Sequence, residues 1–532
     1  MDVEPFEVRW IKARNFEAAG DVQSALDTYE AILADEPARL YARLRASTLY
    51  QMQGHYRCAR KHAVEAVEAV RHSRWSDLPH VTSKLLTFDE HRLLLELLHG
   101  VNWSHPDVIA MSPMLTQHLW LSGAVKDALR MAEIALKFAP EHAQLNYAHG
   151  LALAYSGRIN DALASFEKSI RLDKTYAVAL WSLAYTGRRS SEFLPGARAE
   201  AALRSAPAPI DRPYLHYAAF KELHDAGQHD AAWSHLMEGA HAKREMLAFD
   251  ELRESAITQW LLSRMTPEGA KPDPYGRASA IFIVGMPRTG TTVLDRILGN
   301  HPGITSAGEL TDFRSAANDA LDKFIGAVPD TESMEALMRL DLQKLGLEYL
   351  ERTRWRAENA SQVVVDKHPE NFFLSGVIMD ALPSVRMICM RRNPVDACFS
   401  NLKELFANQS YGYSYDLSEL ANHYARFDEL ARGWSATRPS QFLLVDYEDL
   451  VTSPEQQSKR IFEFIGLPYS SKYSDITLNN SAVTTASASQ IREPVTTKNI
   501  GAWRPYARQL RPLIERLVAV MPASEQSRID AT

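Results

Sequence analysis

The chain has 532 residues, of which 46% are hydrophobic and 23% charged, so it can bury large cores and is too long for a single one. Its formal net charge of −7 gives no basic balance, which argues against a nucleic-acid-binding protein. The three cysteines, Cys58, Cys389 and Cys398, are too few and too scattered for a disulfide framework, which indicates a reducing compartment.

The sequence also lacks the usual signals for export or membrane insertion. Its first ten residues, MDVEPFEVRW, are acidic and have neither the basic stretch nor the apolar core of a signal peptide. No apolar run approaches the roughly 20 residues that a membrane-spanning helix needs. We therefore expect a cytoplasmic protein with no membrane partner.

A glycine-led pattern recurs before residue 270. Units begin at Gly20 and Gly54, 34 residues apart, and at Gly123 and Gly157, again 34 apart, with a fifth at Gly227. In every unit an alanine follows five residues after the glycine. Glycine suits a tight turn and alanine lets two helices approach closely. The pattern resembles the tetratricopeptide repeat (TPR), a helix–turn–helix unit, and predicts an α-helical TPR solenoid over residues 1–265.

A solenoid of this kind packs and does no chemistry of its own. Its concave face could hold an acceptor peptide or protein. A supporting role, or a dimerising role that would give a homodimer, stays an alternative. Residues 266–278, TPEGAKPDPYGRA, are rich in proline and glycine and are predicted to form a linker. Because of this linker, we expect the array to be dispensable for cofactor binding.

Short apolar runs alternate with helical patterns after the linker. The runs at 281–284, 362–365, 386–390 and 442–445 do not alternate with polar residues, as expected for strands buried on both faces. The helical stretches between them indicate βαβ units. We therefore predict that residues 279–532 form a P-loop-type α/β domain with a parallel sheet, whose ligands bind at the carboxyl ends of the strands.

The motif PRTGTT, residues 287–292, follows the first of these strands and precedes a helical pattern. Gly290 lets backbone N–H groups turn inward, and the helix N-terminus adds positive potential for an anion. Arg288 can donate a fork of hydrogen bonds to a phosphate. Hydroxyl groups come from Thr289, Thr291 and Thr292. Since Thr291 stands where an ATP-binding loop has lysine, the loop suits a single phosphate better than ATP with magnesium.

Two further motifs follow later strands. In RRNPVDACFS, Arg392 and Ser400 are eight residues apart with a helix start between them, and such a pair could hold a second phosphate. In VVVDKHPENF, Lys367 and His368 follow a strand. Taken alone, Arg392, Ser400 and Lys367 would each be interpreted as an ordinary surface or helix residue. Beside a phosphate-binding loop, Lys367 becomes a candidate for neutralising a leaving group.

These motifs, in this order, resemble those of sulfotransferases that use 3′-phosphoadenosine-5′-phosphosulfate (PAPS). The resemblance covers roughly residues 279–510. More specifically, this part of the chain is similar to the bacterial and the tyrosylprotein sulfotransferases. With the repeats included, the whole chain resembles a bacterial TPR sulfotransferase. The resemblance implies an enzyme that moves a sulfuryl group from PAPS to an acceptor hydroxyl.

The resemblance also implies a role for each motif. Residues 287–292 would hold the 5′-phosphate that bears the sulfuryl group, and Arg392 with Ser400 would hold the 3′-phosphate. Tyr447, in VDYEDL, would lie by the adenine. Glu309, in SAGEL, matches a family glutamate. At this point the tyrosylprotein enzymes have the sequence Gly-Glu-Glu-Thr-Arg, whereas Leu310, Thr311 and Asp312 follow Glu309 in this chain. This departure leaves a peptide-type acceptor open.

The chemistry implied is an in-line transfer in which positioning and electrostatics supply most of the catalysis. Glu309 is expected to take the hydroxyl proton, with His368 as the alternative base, while Lys367 neutralises the bridging oxygen. No metal is required. The acceptor is a tyrosine or another hydroxyl of a peptide or protein, or else a carbohydrate or small metabolite. Two other functions compete: a P-loop kinase or NTPase, and a TPR scaffold with an inactive sulfotransferase-like domain.

Overall fold

The computed structural model describes residues 5–187, 194–267, 279–357, 359, 362–407, 410–479 and 494–530. Its backbone contacts divide the chain into two compact units. One runs to Leu153 and includes Arg314–Ile325, and the other holds Ala154–Phe313 and the chain from Gly326 onward. The sequence predicts a division into a repeat array, a linker and a transferase domain from the change in secondary-structure type along the chain. This division stays a prediction. Most of that linker lies outside the described residues.

The first unit is built from helix pairs. Its helices are α1 (Phe6–Ala18), α2 (Val22–Asp35), α3 (Leu40–Met52), α4 (Tyr56–Arg71), α5 (Leu78–Thr87), α6 (His91–His99), α7 (Pro106–Leu121), α8 (Val125–Leu136) and α9 (Ala143–Tyr155). The turns of the predicted repeats lie where the sequence places them. Gly20, Gly54 and Gly123 have φ angles of 77°, 83° and 84°, in the left-handed region that glycine adopts most readily.

Helices continue into the second unit. They are α10 (Ile159–Leu172), α11 (Ala177–Thr186), α12 (Ala197–Arg204), α13 (Arg212–Asp225), α14 (His229–Arg244) and α15 (Glu251–Arg264). Gly157 and Gly227, the remaining repeat glycines, have φ angles of 83° and 75°. The helical prediction for residues up to 265 is therefore confirmed in the described part of the chain.

From residue 281 onward, strands and helices alternate along the chain, and of these helices the part at residues 314–321 belongs to the first unit. In chain order these are β1 (Ile281–Gly285), α16 (Thr291–Gly299), β2 (Ile304–Ser306), α17 (Asp312–Leu321), α18 (Thr331–Met338), α19 (Leu342–Thr353), β3 (Val363–Asp366), α20 (Ser375–Ala381), β4 (Arg386–Arg391), α21 (Pro394–Leu402), α22 (Leu417–Thr437), β5 (Phe442–Asp446), α23 (Tyr447–Thr452), α24 (Pro454–Ile465), α25 (Arg511–Val520) and α26 (Ala523–Asp530). Eight short 3-10 helices complete the described part, at Trp75–Asp77, Pro209–Asp211, Arg354–Arg356, Pro369–Leu374, Gly412–Tyr415, Ser471–Ser474, Ile476–Leu478 and Arg504–Tyr506.

The strands form a five-stranded sheet in the order β2-β3-β1-β4-β5, and every pairing is parallel. In the register of the central strands, Phe282 lies beside Met387 and Ile283 beside Ile388. Since all strands run the same way, their carboxyl ends meet at one edge of the sheet. The four predicted strands are confirmed with ends shifted by one residue.

β2 escaped prediction. It is three residues long and lies at the edge of the sheet, and of its residues only Ile304 is buried. Three residues are too few to show a periodic pattern. Elsewhere the core follows the apolar runs, since β1, β4, α16 and α24 share one cluster of buried side chains. The predicted fold class, a helical repeat part followed by a parallel α/β domain, is confirmed. None of the helices in the described ranges is long and apolar enough to cross a bilayer.

Candidate active site

The loop between β1 and α16 is shaped by backbone conformation; we call residues 285–292 the glycine loop. Gly290 is the N-cap of α16 and has a φ of 98°. A Cβ atom added to Gly290 would lie 2.5 Å from Cδ2 of Tyr447, so only glycine fits there. The hydroxyl of Thr289 donates to the carbonyl of Met286 at 2.7 Å, so this side chain shapes the loop itself.

The start of α16 is suited to an anion. Thr291 and Thr292 are its first two residues, and both are buried. The first N–H groups of a helix have no partner within the helix, and the helix dipole adds positive potential. Arg288, also in the loop, holds a left-handed φ of 66° and lies 3.7 Å from the carboxylate of Glu404.

Arg392 connects the glycine loop to β4 and β5. Its guanidinium donates to the carbonyl of Arg288 at 3.2 Å and to the carbonyl of Asn499. Its Cζ atom lies 4.8 Å from the centre of the Tyr447 ring. Arg392 is 6% exposed. The predicted residues Arg288, Gly290, Arg392 and Tyr447 therefore meet, although they come from three separate strand ends.

Ser400 lies on α21, the helix that follows Arg392. Asn393 caps this helix by accepting hydrogen bonds from the backbone N–H groups of residues 395 and 396. Asp396, in its first turn, lies 3.7 Å from the guanidinium of Arg392. Ser400 is four residues further on, so it shares a helix face with Asp396. We call Arg392, Asp396 and Ser400 the arginine site. Ser400 is partly exposed, as a ligand-binding hydroxyl must be.

The three predicted catalytic residues lie beyond the ends of β2 and β3. Lys367 is 2% exposed, and its ammonium forms an ion pair with the carboxylate of Glu309. The Glu309 side chain is 45% exposed, so it stays accessible. The ring of His368 is buried and lies 3.6 Å from the carboxylate of Glu370. We call Lys367 and Glu309 the lysine–glutamate pair.

The electrostatics of this pair favour an ionised glutamate. Partial desolvation of the carboxylate acts to raise the pKa of Glu309, but the positive charges of Lys367 and His368, with the hydrogen bond from Lys367, outweigh it and hold the pKa below its usual value. An ionised carboxylate in contact with solvent can accept a proton from an acceptor hydroxyl.

Several residues that sequence reasoning missed hold this site in place. Asn401 donates to the carbonyl of Pro287 at 2.7 Å and so joins α21 to the glycine loop. Asp396 accepts a hydrogen bond from the N–H of Gly501 at 2.7 Å, which brings the C-terminal segment to the arginine site. Tyr424 donates to the carbonyl of Arg392 at 2.6 Å. Such contacts to distant backbone atoms leave no local pattern in the sequence.

Buried carboxyl groups support the lysine–glutamate pair. Asp366, the last residue of β3, accepts a hydrogen bond from the N–H of Leu310 at 3.3 Å, next to Glu309. Burial, together with the charge of Asp312, raises the pKa of Asp366 well above its usual value. Asp295 on α16 is 8% exposed, and burial raises its pKa against the opposing charge of Lys367. Asp295 lies four residues after Thr291, and this helical spacing is the sequence pattern that could have identified it.

Helices assigned to the repeats contact the end of α21 and the C-terminal segment. Tyr217 of α13 donates to the carbonyl of Leu402 at 2.8 Å, and Tyr185 of α11 donates to that of Lys403 at 2.9 Å. His224, at the end of α13, is hydrogen-bonded to the hydroxyl of Tyr506 at 2.8 Å. α21 and the C-terminal segment are thus held by α11 and α13. These contacts argue against the expectation that the whole helical array is dispensable for cofactor binding.

The Sulfotransferase family model matches residues 280–471, so the C-terminal part of the chain carries a sulfotransferase-family domain. The chain is 28% identical to an uncharacterized protein of Aquifex aeolicus (strain VF5) over 57% of this chain and 41% of that protein. It therefore spans less than half the length of that relative. It is 25% identical to Nodulation protein H of Rhizobium tropici, over 44% of this chain and 92% of that protein. A "Putative protein-tyrosine sulfotransferase" of Caenorhabditis briggsae is 22% identical over 42% of this chain and 80% of its own length.

Different solved structures resemble the helical part and the α/β part of the chain. The sulfotransferase domain of the Synechococcus PCC 7002 olefin synthase is 18% identical and covers 44% of this chain and 91% of its own, with a TM-score of 0.31. YrrB, a TPR protein with an unusual peptide-binding site, is 20% identical and covers 32% of this chain and 86% of its own, with a TM-score of 0.26.

Proposed function

We propose that this protein transfers a sulfuryl group from PAPS to an acceptor hydroxyl. The observation that carries the proposal is the meeting of the glycine loop and the arginine site at Tyr447. The two elements suit two separate phosphate groups, and the Tyr447 ring between them suits a purine. The lysine–glutamate pair, past the end of the adjacent β3, supplies the charges that group transfer needs.

The guanidinium of Arg392 fits an anionic nucleotide. In the described part of the chain, Nε of Arg392 is buried without a hydrogen-bond partner. Buried donors are normally paired, and an unpaired one costs about 1–3 kcal/mol. A phosphate with several acceptor oxygens would satisfy such donors. Lys498 and Arg504 lie on either side of Gly501, whose N–H reaches Asp396, and both are exposed.

PAPS, when bound, supplies the sulfuryl group. The glycine loop would hold the 5′-phosphate, and Arg392 with Ser400 the 3′-phosphate. Glu309 would accept the proton of the acceptor hydroxyl as that oxygen bonds to sulfur. Lys367 would neutralise the charge on the phosphate oxygen whose bond to sulfur breaks, so that adenosine 3′,5′-bisphosphate leaves. His368 stays the alternative base, and no residue in this scheme calls for a metal.

The finer proposal concerns the acceptor. We infer that it is a tyrosine or another hydroxyl on a peptide or protein held by the repeat helices. The name of the Caenorhabditis briggsae relative and the TPR pattern support this acceptor. The residues after Glu309 depart from the tyrosylprotein pattern, so a carbohydrate or small metabolite is the competing acceptor. A cytoplasmic location belongs to the same proposal.

The deciding experiment is calorimetry with adenosine 3′,5′-bisphosphate, with AMP, and with ATP in the presence and absence of magnesium. We expect the bisphosphate to bind most tightly and without magnesium. Tighter, magnesium-dependent binding of ATP would support a P-loop kinase or NTPase. Binding of none of these nucleotides would support the inactive scaffold. Transfer of radiolabelled sulfate from PAPS to a lysate, with acceptors separated by size, then distinguishes a protein from a small acceptor.

A further inference from the structure

The last helix in the described part of the chain, α26, lies against the ends of β4 and β5. Its Arg528 donates to the carboxylate of Asp428, on α22, at 2.9 Å and to that of Asp446, the last residue of β5, at 3.3 Å. The same guanidinium donates to the carbonyl of Arg392 at 3.2 Å. One side chain of α26 therefore joins α22 and the end of β5 to the residue that follows β4.

Arg391, the last residue of β4, extends this network. It donates to both carboxylate oxygens of Asp446, at 2.8 Å and 3.1 Å, and its guanidinium lies 3.3 Å from the carboxylates of Asp428 and Glu525. Glu525 belongs to α26. Asp428 is 1% exposed, so part of the network is removed from solvent, where charge-assisted hydrogen bonds are strong. We call Arg391, Asp428, Asp446, Glu525 and Arg528 the C-terminal clamp.

The C-terminal clamp lies at the strand ends that carry two of the predicted nucleotide-binding residues. Arg391 and Asp446 are partners in the parallel register of β4 and β5. Arg392 and Tyr447 are the next residues along the chain, and the Cζ atom of Arg392 lies 4.8 Å from the centre of the Tyr447 ring. Since the clamp fixes the main chain from which the Arg392 side chain starts, it determines where that guanidinium is held relative to the ring.

The main chain of Arg392 is held by two donors. Its carbonyl accepts hydrogen bonds from Tyr424 at 2.6 Å and from Arg528, which engage both lone pairs of the oxygen. In return, the side-chain amide of Asn393 donates to the carbonyl of Arg528. This reciprocal contact fixes α26 on the start of α21. Because α26 lies beyond residue 471, where the match to the Sulfotransferase family model ends, this support comes from outside the matched domain.

We propose that Arg528 is a positioning residue for the nucleotide and that it acts through Arg392. It holds the main chain of Arg392 so that the guanidinium, whose Nε is buried without a hydrogen-bond partner in the described ranges, is aimed at the 3′-phosphate. The clamp itself does not attract the phosphate, because its two arginines are matched by three carboxylates. The inference rests on the proposed function, since it takes the ligand to be a nucleoside 3′,5′-bisphosphate.

The test is a double-mutant cycle, measured by calorimetry on the full chain with adenosine 3′,5′-bisphosphate. Arg528→Met removes the hydrogen bond to the Arg392 carbonyl and should lower bisphosphate affinity about tenfold. In the background of Arg392→Ala the same substitution should have almost no further effect, because the guanidinium that it positions is already gone. Arg528→Lys keeps the charge beside Asp428 but has a single nitrogen for three acceptors. It should therefore also lower the affinity, while the melting temperature stays near that of the wild type.

Arg432→Met is the matched control. Arg432 donates to the same Asp428 carboxylate at 2.9 Å, but among the described residues it makes no hydrogen bond to Arg392. It should change bisphosphate affinity far less than Arg528→Met. Wild-type affinity in both Arg528 variants, an equal loss from Arg528→Met in the Arg392→Ala background, or an equal loss in Arg432→Met would each overturn the inference while the proposed function stands. If the wild type prefers ATP with magnesium, the proposed function fails first.

Discussion

The glycine loop and the arginine site both suit a phosphate, but they do so with different parts of the chain. In the glycine loop the donors are backbone N–H groups, and the space for a ligand depends on the missing side chain of Gly290. In the arginine site the charge belongs to the side chain of Arg392, held by backbone carbonyls and the Tyr447 ring. Phosphate binding at the glycine loop should therefore be lost when atoms are added there, and binding at the arginine site when atoms are removed.

Glu309→Gln should have the largest effect and should spare both phosphate-binding elements. Loss of a general base typically costs about 10²–10⁴ in kcat, whereas the affinity for adenosine 3′,5′-bisphosphate should stay near that of the wild type. Steady-state kinetics and calorimetry measure the two quantities. If Glu309→Gln keeps most of its activity and His368→Ala abolishes it, the base is His368.

The pH profile of kcat/KM separates the same alternatives. The pKa of Glu309 is held below its usual value by Lys367 and His368, so the base stays ionised, and activity persists, as the pH falls towards that lowered value. Lys367→Met removes one of these charges and should move the acid limb to higher pH, besides lowering kcat. An acid limb that stays in place would show that Glu309 is not the titrating base.

Gly290→Ala tests the sensitivity of the glycine loop to added atoms. The new methyl group would lie 2.5 Å from Tyr447, at a φ of 98°. Strain and overpacking of about 1–3 kcal/mol each should lower bisphosphate affinity about 100-fold. Gly227→Ala is the matched control, because its φ is 75° and no atom lies within 4 Å of the added Cβ. Equal losses in both variants would contradict the role of the Tyr447 contact.

Arg392→Ala tests the sensitivity of the arginine site to removed atoms. A hydrogen bond to a charged group contributes about 1.5–3 kcal/mol, so bisphosphate affinity should fall roughly 10- to 100-fold. AMP affinity should change much less, because AMP lacks the 3′-phosphate. If AMP and the bisphosphate lose affinity equally, Arg392 supports the loop and does not bind the 3′-phosphate.

Tyr217→Phe should have the smallest effect and tests whether α13 positions the arginine site. It removes the donor to the carbonyl of Leu402 and should lower bisphosphate affinity about 2- to 10-fold. Tyr41→Phe is the control, since Tyr41 donates a similar hydrogen bond to Asp77 in the first unit. A lower melting temperature with unchanged affinity would limit Tyr217 to a structural role.

Much of the fold was predictable because it depends on local patterns. The repeat glycines marked turns that need a left-handed φ, and continuous apolar runs marked strands buried on both faces. The glycine loop was found because all its residues are contiguous. Arg392 and Ser400 were found from their spacing and from the family resemblance.

By itself, the sequence determined the periodic elements and the order of the motifs, since both depend on neighbours along the chain. Only the tertiary structure decided that Asn401 joins α21 to the glycine loop and that Gly501 reaches Asp396. The same holds for Tyr185 and Tyr217, whose hydroxyls donate to backbone carbonyls 218 and 185 residues further along the chain. Any residue type offers such a carbonyl, so no sequence pattern records which one a side chain reaches.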